Sequence, residues 1–440
     1  MKEQPWTFNE DLEREKMILT EIEMTNYRGA SALKLEFNEK LNIFFGMNGA
    51  GKSTVLDAIA LMLSWPVSRI RHTGNAGRLI TEGEIMNGKS FASIEISSKT
   101  TQGMVNWKLL KNRAGHLAVN EKSQFLKLND YTRSLQTKIT GTLEHCNLPV
   151  FVYYPVNRAV VDIPLRIREH QFNLLSVYEG ALSSGANFRA FFEWFRERED
   201  LENETRKYLG TQTSSEDFQF PDPQLEAVRQ ALSAFLPEFS NLTVRRNPLR
   251  MEVEKNGRRL AVNQLSDGEK CLVALLGDLA RRMAIANPQL KNPLQGVGIV
   301  LIDEIDLHLH PKWQRFIVPR LVEVFPNCQF FISTHSPHVI SHVQPEDLFL
   351  LEQTGTDIIA TKPNESYGKN VDRILEDLMG LETTRPDQVH ADLQEVFQAI
   401  ESGNLDDARN RISALQKMIG SDPELVKAGV LIRRKELIGK

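Results

Sequence analysis

The run Phe45-Gly46-Met47-Asn48-Gly49-Ala50-Gly51-Lys52-Ser53-Thr54 fits G-x-x-x-x-G-K-[S/T]. Its glycines let backbone N–H groups curl around phosphate oxygens, and a helix N-terminus behind them adds positive potential. Asn48, Gly49, Ala50, Gly51, Lys52, Ser53 and Thr54 would cradle a nucleotide, with Lys52 on the β- and γ-phosphates and Ser53 on Mg²⁺. Phosphoryl chemistry needs further groups, and later segments supply them. Val300-Leu301-Ile302-Asp303-Glu304 is an apolar run ending in two carboxylates. Asp303 would hold Mg²⁺ through water, and Glu304 would polarise the attacking water as general base. The bland alternative is an acidic helix cap, but the apolar run 299–302 fits a buried parallel strand better. Phe330-Phe331-Ile332-Ser333-Thr334-His335 is a second such run. A lone histidine is usually structural; His335, just past an apolar strand and downstream of Asp-Glu, is placed to sense a γ-phosphate. Asp306 lies between these strands, where a dimer-contacting loop would sit. Upstream, Leu265-Ser266-Asp267-Gly268-Glu269-Lys270 opens an amphipathic helix running to about Ala286. Ser266 would cap it, and Gly268 lets a phosphate approach closely.

These groups need elements to position them. Residues 41–45 read as a short buried strand and 55–63 as an apolar helix, the strand–loop–helix context that the phosphate loop requires. Residues 18–23 and 32–37 alternate like strands. Residues 91–98 and 104–110 form another expected strand pair, joined by Thr100-Thr101-Gln102-Gly103. Residues 149–154 read as a further buried strand. The fold class is α/β. Residues 1–156 form an ATPase lobe with the phosphate loop, 157–240 a mainly helical insertion, 241–363 a lobe with the Asp-Glu and His strands, and 364–440 a helical region.

Composition bounds the function. The chain has 440 residues, 41% hydrophobic and 25% charged, with a net charge of −4. That is ordinary for a globular protein and gives no general attraction to nucleic acid, so any DNA contact must use local patches. Cys146, Cys271 and Cys328 lie far apart and form no Cys-x-x-Cys pair, which argues against a disulfide framework and a zinc hook. Residues 1–16 carry charge without an apolar core, and no stretch is long enough to span a bilayer. No membrane association and a cytoplasmic location are the expectation.

In the insertion, residues 188–198 read as a helix with an aromatic face, which packing explains better than a nucleic-acid platform. Residues 210–223 are polar, acidic and bounded by proline, a loop pattern. Sustained heptads are missing, so no long coiled-coil arm is expected. Arg245, Arg246, Arg250, Lys255, Arg258 and Arg259 crowd a hairpin turning at Asn256-Gly257. A phosphate-backbone patch and a solvated hairpin interleaved with Glu252 and Glu254 both fit. Beyond residue 364, helices are expected over 367–379, 387–402, 405–419 and 423–437. The last ends in a basic, amphipathic stretch, with Arg433, Arg434 and Lys435 available to an acidic partner.

The segment 265–270 resembles the signature motif of ABC-type ATPases, in the form used by RecF, SMC and OLD-like proteins; Asp267 stands where transporters have the first glycine. Glu304-Ile305-Asp306-Leu307-His308-Leu309-His310-Pro311, Ser333-Thr334-His335-Ser336-Pro337 and Met24-Thr25-Asn26-Tyr27-Arg28-Gly29 look like the same stand-alone branch, the last lying between two N-terminal strands. The resemblance implies an ABC-type P-loop ATPase head with ATP and Mg²⁺, and Arg28 among the nucleotide-binding residues. It also implies that Ser266, Asp267, Gly268 and Glu269 contact the γ-phosphate bound by another subunit, in a head-to-tail homodimer or larger homo-oligomer. The strand 149–154 looks like the one leading to the Q-loop, but Pro155-Val156-Asn157-Arg158 offers no glutamine. OLD-type relatives add a metal-dependent nuclease domain. Here Leu350-Leu351-Glu352-Gln353 is followed by helices, without a Glu-Gly turn or an Asp-x-Asp pair, so nuclease activity is not expected of this chain. A metal set among His308, His310, His335, His338 and His342 is disfavoured, because no carboxylate or cysteine accompanies them at ligand spacing. Tyr153-Tyr154-Pro155-Val156-Asn157-Arg158, Tyr367-Gly368-Lys369-Asn370-Val371 and Arg434-Lys435-Glu436 are similar to PtuA-type ATPase subunits of Septu and retron-linked anti-phage systems. That similarity implies a PtuB-like HNH nuclease as partner. A RecF-like repair ATPase that clamps DNA is the alternative; a transporter motor fits least, given 304–311 and the long insertion.

Overall fold

The computed structural model describes residues 15–117, 119–141, 146–156, 172–183, 186–209, 221–355 and 357–438. These fall into two compact units, Met1–Lys369 and Asn370–Lys440. The Asn157-Arg158 pair and most of the 210–223 loop lie outside the described residues.

In the first unit, β1 (Met17–Tyr27), β2 (Ala30–Glu36), β4 (Phe91–Thr100) and β5 (Gly103–Asn112) form an antiparallel sheet ordered β2-β1-β4-β5. Sequence alternation ends the first strand too early. Pairing instead continues to Tyr27↔Ala30, so residues 24–27 are strand and the link to β2 is a tight turn at Arg28-Gly29. A second sheet is ordered β13-β12-β3-β11-β10-β6. Its members are β3 (Leu41–Phe45), β6 (Val150–Tyr154), β10 (Gly298–Ile302), β11 (Cys328–Ser333), β12 (Leu348–Thr354) and β13 (Asp357–Thr361). β3, β6, β10 and β11 are buried at every position and pair in parallel, which is why their sequences read as continuous apolar runs. The Gln329 amide, buried in β11, joins the two sheets by accepting from Leu19 N and donating to Leu19 O, both at 2.8 Å.

Helices cover these sheets. α1 (Lys52–Arg71) continues past Pro66, because Trp65, Val67 and Ile70 are all buried and packing overrides the local break. Trp107 of β5 donates to Met62 O at 3.2 Å, and α2 (Leu126–Gly141) packs beside α1. α3 (Phe188–Leu209) turns its aromatic face inward: Phe188, Phe191, Phe192, Trp194 and Phe195 are at most 1% exposed. α4 (Pro223–Phe235) is capped by Asp222, which accepts from Leu225 N at 2.8 Å, and is tied to α3 by Arg229–Glu202 at 2.8 Å. Both helices pack on α5 (Asp267–Ala286), where the Phe191 ring fills the space a side chain would need at Gly277. A third sheet, β7 (Phe239–Arg246), β8 (Leu249–Lys255) and β9 (Arg258–Ala261), turns at Asn256-Gly257 as expected. The short α6 (Pro311–Gln314), α7 (Ile317–Val324) and α8 (Pro337–Ile340) complete the unit.

In the second unit, Asn370 caps a short helix, α9 (Val371–Arg373), that continues as π-helix over Ile374–Leu378. It is followed by α10 (Asp387–Glu401), α11 (Leu405–Ile419) and α12 (Pro423–Ile438). Leu393, Val396, Ile400, Ala408, Leu415, Leu425, Ala428 and Ile432 form one core. Lys435 donates to Ile400 O at 2.5 Å and Glu401 O at 3.0 Å. It therefore caps the end of α10, and it is exposed like Arg433 and Arg434 beside it. Among the described residues, no helix is long and apolar enough to cross a membrane.

Candidate active site

Parallel order puts the chemistry in one place. β3, β11 and β10 are neighbours, so their C-terminal ends deliver the phosphate loop, His335 and the Asp303-Glu304 pair to the same edge. The loop turns into α1 at Gly51, in the left-handed conformation at φ +96°, where a Cβ would fall 2.4 Å from Ile358 Cδ1. Only glycine fits that turn. Asn48, Gly49 and Ser53 are exposed, Gly51 and Thr54 half-buried, and Ala50 and Lys52 buried. Lys52 Nζ donates to the carbonyls of Gly46 at 3.0 Å and Met47 at 2.9 Å. Burial lowers its pKa, while Glu304, Asp303 and Asp306 pull it back up.

The same acidic groups surround His335. Burial and then Lys52 lower the His335 pKa, against Asp306, Glu304 and Asp303, so the imidazole is neutral near pH 7. Asp306 accepts from Thr334 Oγ1 at 2.6 Å and from His335 N at 3.2 Å. That ties the loop after β10 to the histidine after β11. Gln314 steadies the loop by donating to Leu309 O at 2.9 Å and accepting from Ser336 Oγ at 2.7 Å.

Asp303 and Glu304 are held by Ser333. Its hydroxyl donates to Asp303 Oδ1 and accepts from Glu304 N at 2.8 Å. Glu304 sits at φ +47° and His308 at φ +62°. Such backbone costs about 1–3 kcal/mol per residue and clusters at functional sites. Ser333 was legible only as part of a wider segment, because its partners lie thirty residues away across the sheet.

Sequence reasoning missed a second layer around Asp57. Arg28, itself at φ +49°, donates to Asp57 at 2.7 Å and to Glu84 at 3.0 Å. Tyr153, at the end of β6, hydrogen-bonds Asp57, and burial, Asp57 and Asp303 push its hydroxyl pKa well up. Arg28, expected at the nucleotide, is here engaged by two carboxylates of its own chain. The one usable signal for Asp57 is its place in the first turns of the helix after Lys52.

The signature divides in two. Ser266 and Asp267 are exposed, whereas Gly268 and Glu269 are buried. Ser266 caps α5, as expected, and a Cβ at Gly268 would lie 2.5 Å from His308 O, so the signature packs on the loop after β10 of the same chain. Glu269 faces inward, with Lys255 and Ser266 as its partners. The basic hairpin is largely neutralised: Arg246 pairs with Glu199 and Asp200, Arg250 with Glu252 at 2.6 Å, and Arg245 with Glu252 at 3.7 Å. Arg258 and Arg259 are exposed.

The site's donor set fits ATP with Mg²⁺. A buried ammonium whose hydrogen-bond partners are neutral carbonyls suits a phosphate anion, and the Ser53 hydroxyl with the Asp303 carboxylate are hard oxygen donors. Known proteins agree in kind. The family described as "AAA domain, putative AbiEii toxin, Type IV TA system" matches residues 41–341. "Retron Ec83 probable ATPase" of Escherichia coli is 31% identical, over 94% of this chain and 86% of the relative. "Retron Vc95 probable ATPase" of Vibrio cholerae serotype O1 biovar El Tor is also 31% identical, over 86% and 81%. "Septu protein PtuA" of Bacillus thuringiensis is 24% identical, over 84% and 86%. The chain belongs to this AAA-domain family, in the group that holds the retron ATPases and Septu PtuA.

Proposed function

We propose that the chain binds and hydrolyses ATP in a head-to-tail dimer, as the regulatory subunit of a bacterial cytoplasmic anti-phage complex. A separate PtuB-like HNH nuclease would do the cutting. The observation that carries the catalytic part is the meeting of Lys52, Asp303, Glu304, Asp306 and His335 at neighbouring strand ends. The retron and Septu relatives support the defence role.

Ser53 and Asp303 would hold Mg²⁺, whose charge neutralises the β- and γ-phosphate oxygens. Lys52 would leave the Gly46 and Met47 carbonyls for those oxygens. Glu304 takes a proton from water as the water oxygen bonds to the γ-phosphorus and the bond to the bridging oxygen breaks. The neutral His335 donates one ring N–H to the γ-phosphate. Ser266 and Asp267, exposed at the start of α5, reach the ATP of the facing subunit, with the Asp306 loop beside the contact. The RecF-like alternative needs a free basic surface, and the pairing of Arg245, Arg246 and Arg250 removes most of the hairpin from that role.

The second unit offers the nuclease a surface. Val426, Val430 and Leu437 are 61%, 60% and 78% exposed and share one face of α12 with Arg433. This face borders a cleft of about 300 Å³ lined by Ile412, Gln416 and Leu425. With Arg433 in line and Arg434 beside it, the stripe suits an acidic, amphipathic segment of the partner; a second copy would bring arginines together. Lys52→Ala tests the nucleotide role. ATP affinity should fall about thirtyfold or more, the cost of removing one partner of a buried charge contact. Unchanged affinity in a folded variant would remove Lys52 from the site.

A further inference from the structure

The signature serine is held by Glu269, whose counter-charge lies outside the signature. Glu269 Oε2 accepts from Ser266 N at 2.9 Å and from Ser266 Oγ at 2.8 Å. In return Ser266 Oγ faces Glu269 N at 3.4 Å, closing a capping box. The other carboxylate oxygen, Oε1, is paired with Lys255 Nζ. The Glu269 side chain is 6% exposed, so its charge depends on that ammonium. Lys255 reaches it from the end of β8, opposite Phe239 of β7, and its Nζ lies 5.7 Å from the Phe239 ring centroid. β7 is in turn fixed to α3 by Arg246 with Glu199 and Asp200.

We propose that Lys255 is a positioning residue for the trans signature: by balancing Glu269, it lets the Ser266 hydroxyl be shared with the γ-phosphate of the facing subunit. The inference rests on the head-to-tail reading above. The Ser266 proton points at a carboxylate. A γ-phosphate must compete with that carboxylate for it. With Lys255 present, Glu269 is a weakened acceptor, because its charge is already engaged. Burial works against its ionisation, yet the hydrogen bonds from Lys255 and Ser266 keep it ionised. Without Lys255, the Glu269 charge would rest on the Ser266 hydrogen bonds alone, so it would hold the hydroxyl harder and repel an incoming phosphate. The hairpin sheet thereby acts on a serine in the ATP contact without touching nucleotide itself.

The test is ATP-driven dimerisation of the full chain, followed by sedimentation in a Glu304→Gln background that blocks turnover. Adding Lys255→Met should weaken dimerisation about tenfold or more, the scale for truncating one member of a buried charge pair. Binding of a fluorescent ATP analogue to the single chain should stay unchanged, because Lys255 does not touch the phosphate loop. Lys255→Arg should behave as the parent. Lys255→Met with Glu269→Gln should recover to within about threefold, since glutamine completes the same capping box without a charge. A purely architectural role for Lys255 predicts no such rescue. Parent-like dimerisation by Lys255→Met, or failure of Glu269→Gln to rescue it, overturns the inference. A Glu304→Gln parent that stays monomeric with ATP overturns the head-to-tail reading, and this inference with it.

Discussion

The edge of the central sheet and the second unit use charge in opposite ways. At the edge, Lys52, Asp303, Glu304, Asp306 and His335 share one field, and Glu304 and His308 are held at positive φ. In residues 370–440, ion pairs such as Arg409–Glu436 and Arg411–Glu395 knit helices together, and the exposed face of α12 carries valine and leucine. Concentrated, strained charge serves chemistry. Dispersed charge over a small core serves shape, and the apolar stripe on that shape is the surface proposed for the partner. The contrast teaches that the proposed catalytic and contact roles can be damaged separately.

The largest separation should come from Glu304→Gln. Removing a general base is worth about 10²–10⁴-fold in hydrolysis rate, with ATP binding and partner co-purification retained. Turnover at the wild-type rate would mean that another group activates the water, and that the strain at Glu304 has no catalytic meaning. The reverse dissection is Val430→Glu with Leu437→Glu. Co-purification with the proposed HNH nuclease partner should fall about tenfold or more, the scale of losing interface anchors, while the ATPase rate holds. Full partner binding by that variant would move the contact surface out of α12.

The smallest effect sharpens the structural half. Asp422 is held below the usual carboxylate range chiefly by the hydrogen bond from Arg385. A depressed folded pKa contributes stability above the unfolded value, lost as pH falls through the folded one. Arg385→Ala should therefore cost the second unit about 0.5–1 kcal/mol near neutrality and flatten its loss of stability below about pH 4. Amide exchange in α12 reads both. An unaltered acid profile would mean that the pair is only a surface contact.

How much was legible follows from how local each determinant is. β3 and α11 fall on the expected bounds, because an apolar run set off by polar residues, and a helical period between Gly403 and Gly420, are local signals. The inward aromatic face of α3 was equally plain. Local patterning ended β1 too early and began β2 too late, since pairing with β2 and burial of Tyr27 extend β1 past its alternation. It missed the Arg28–Asp57–Glu84 network and the grip of Ser333 on Asp303, because each joins residues from separate elements. The inward turn of Glu269 has the same cause: its counter-charge, Lys255, arrives from β8.

The most direct test of the central claim is the mass and ATP content of the Glu304→Gln chain in ATP and Mg²⁺. The site described here predicts a dimer carrying one ATP per chain that dissociates when Ser266→Arg is added. A chain that binds ATP tightly yet sediments as a monomer, or a dimer indifferent to Ser266→Arg, would contradict it.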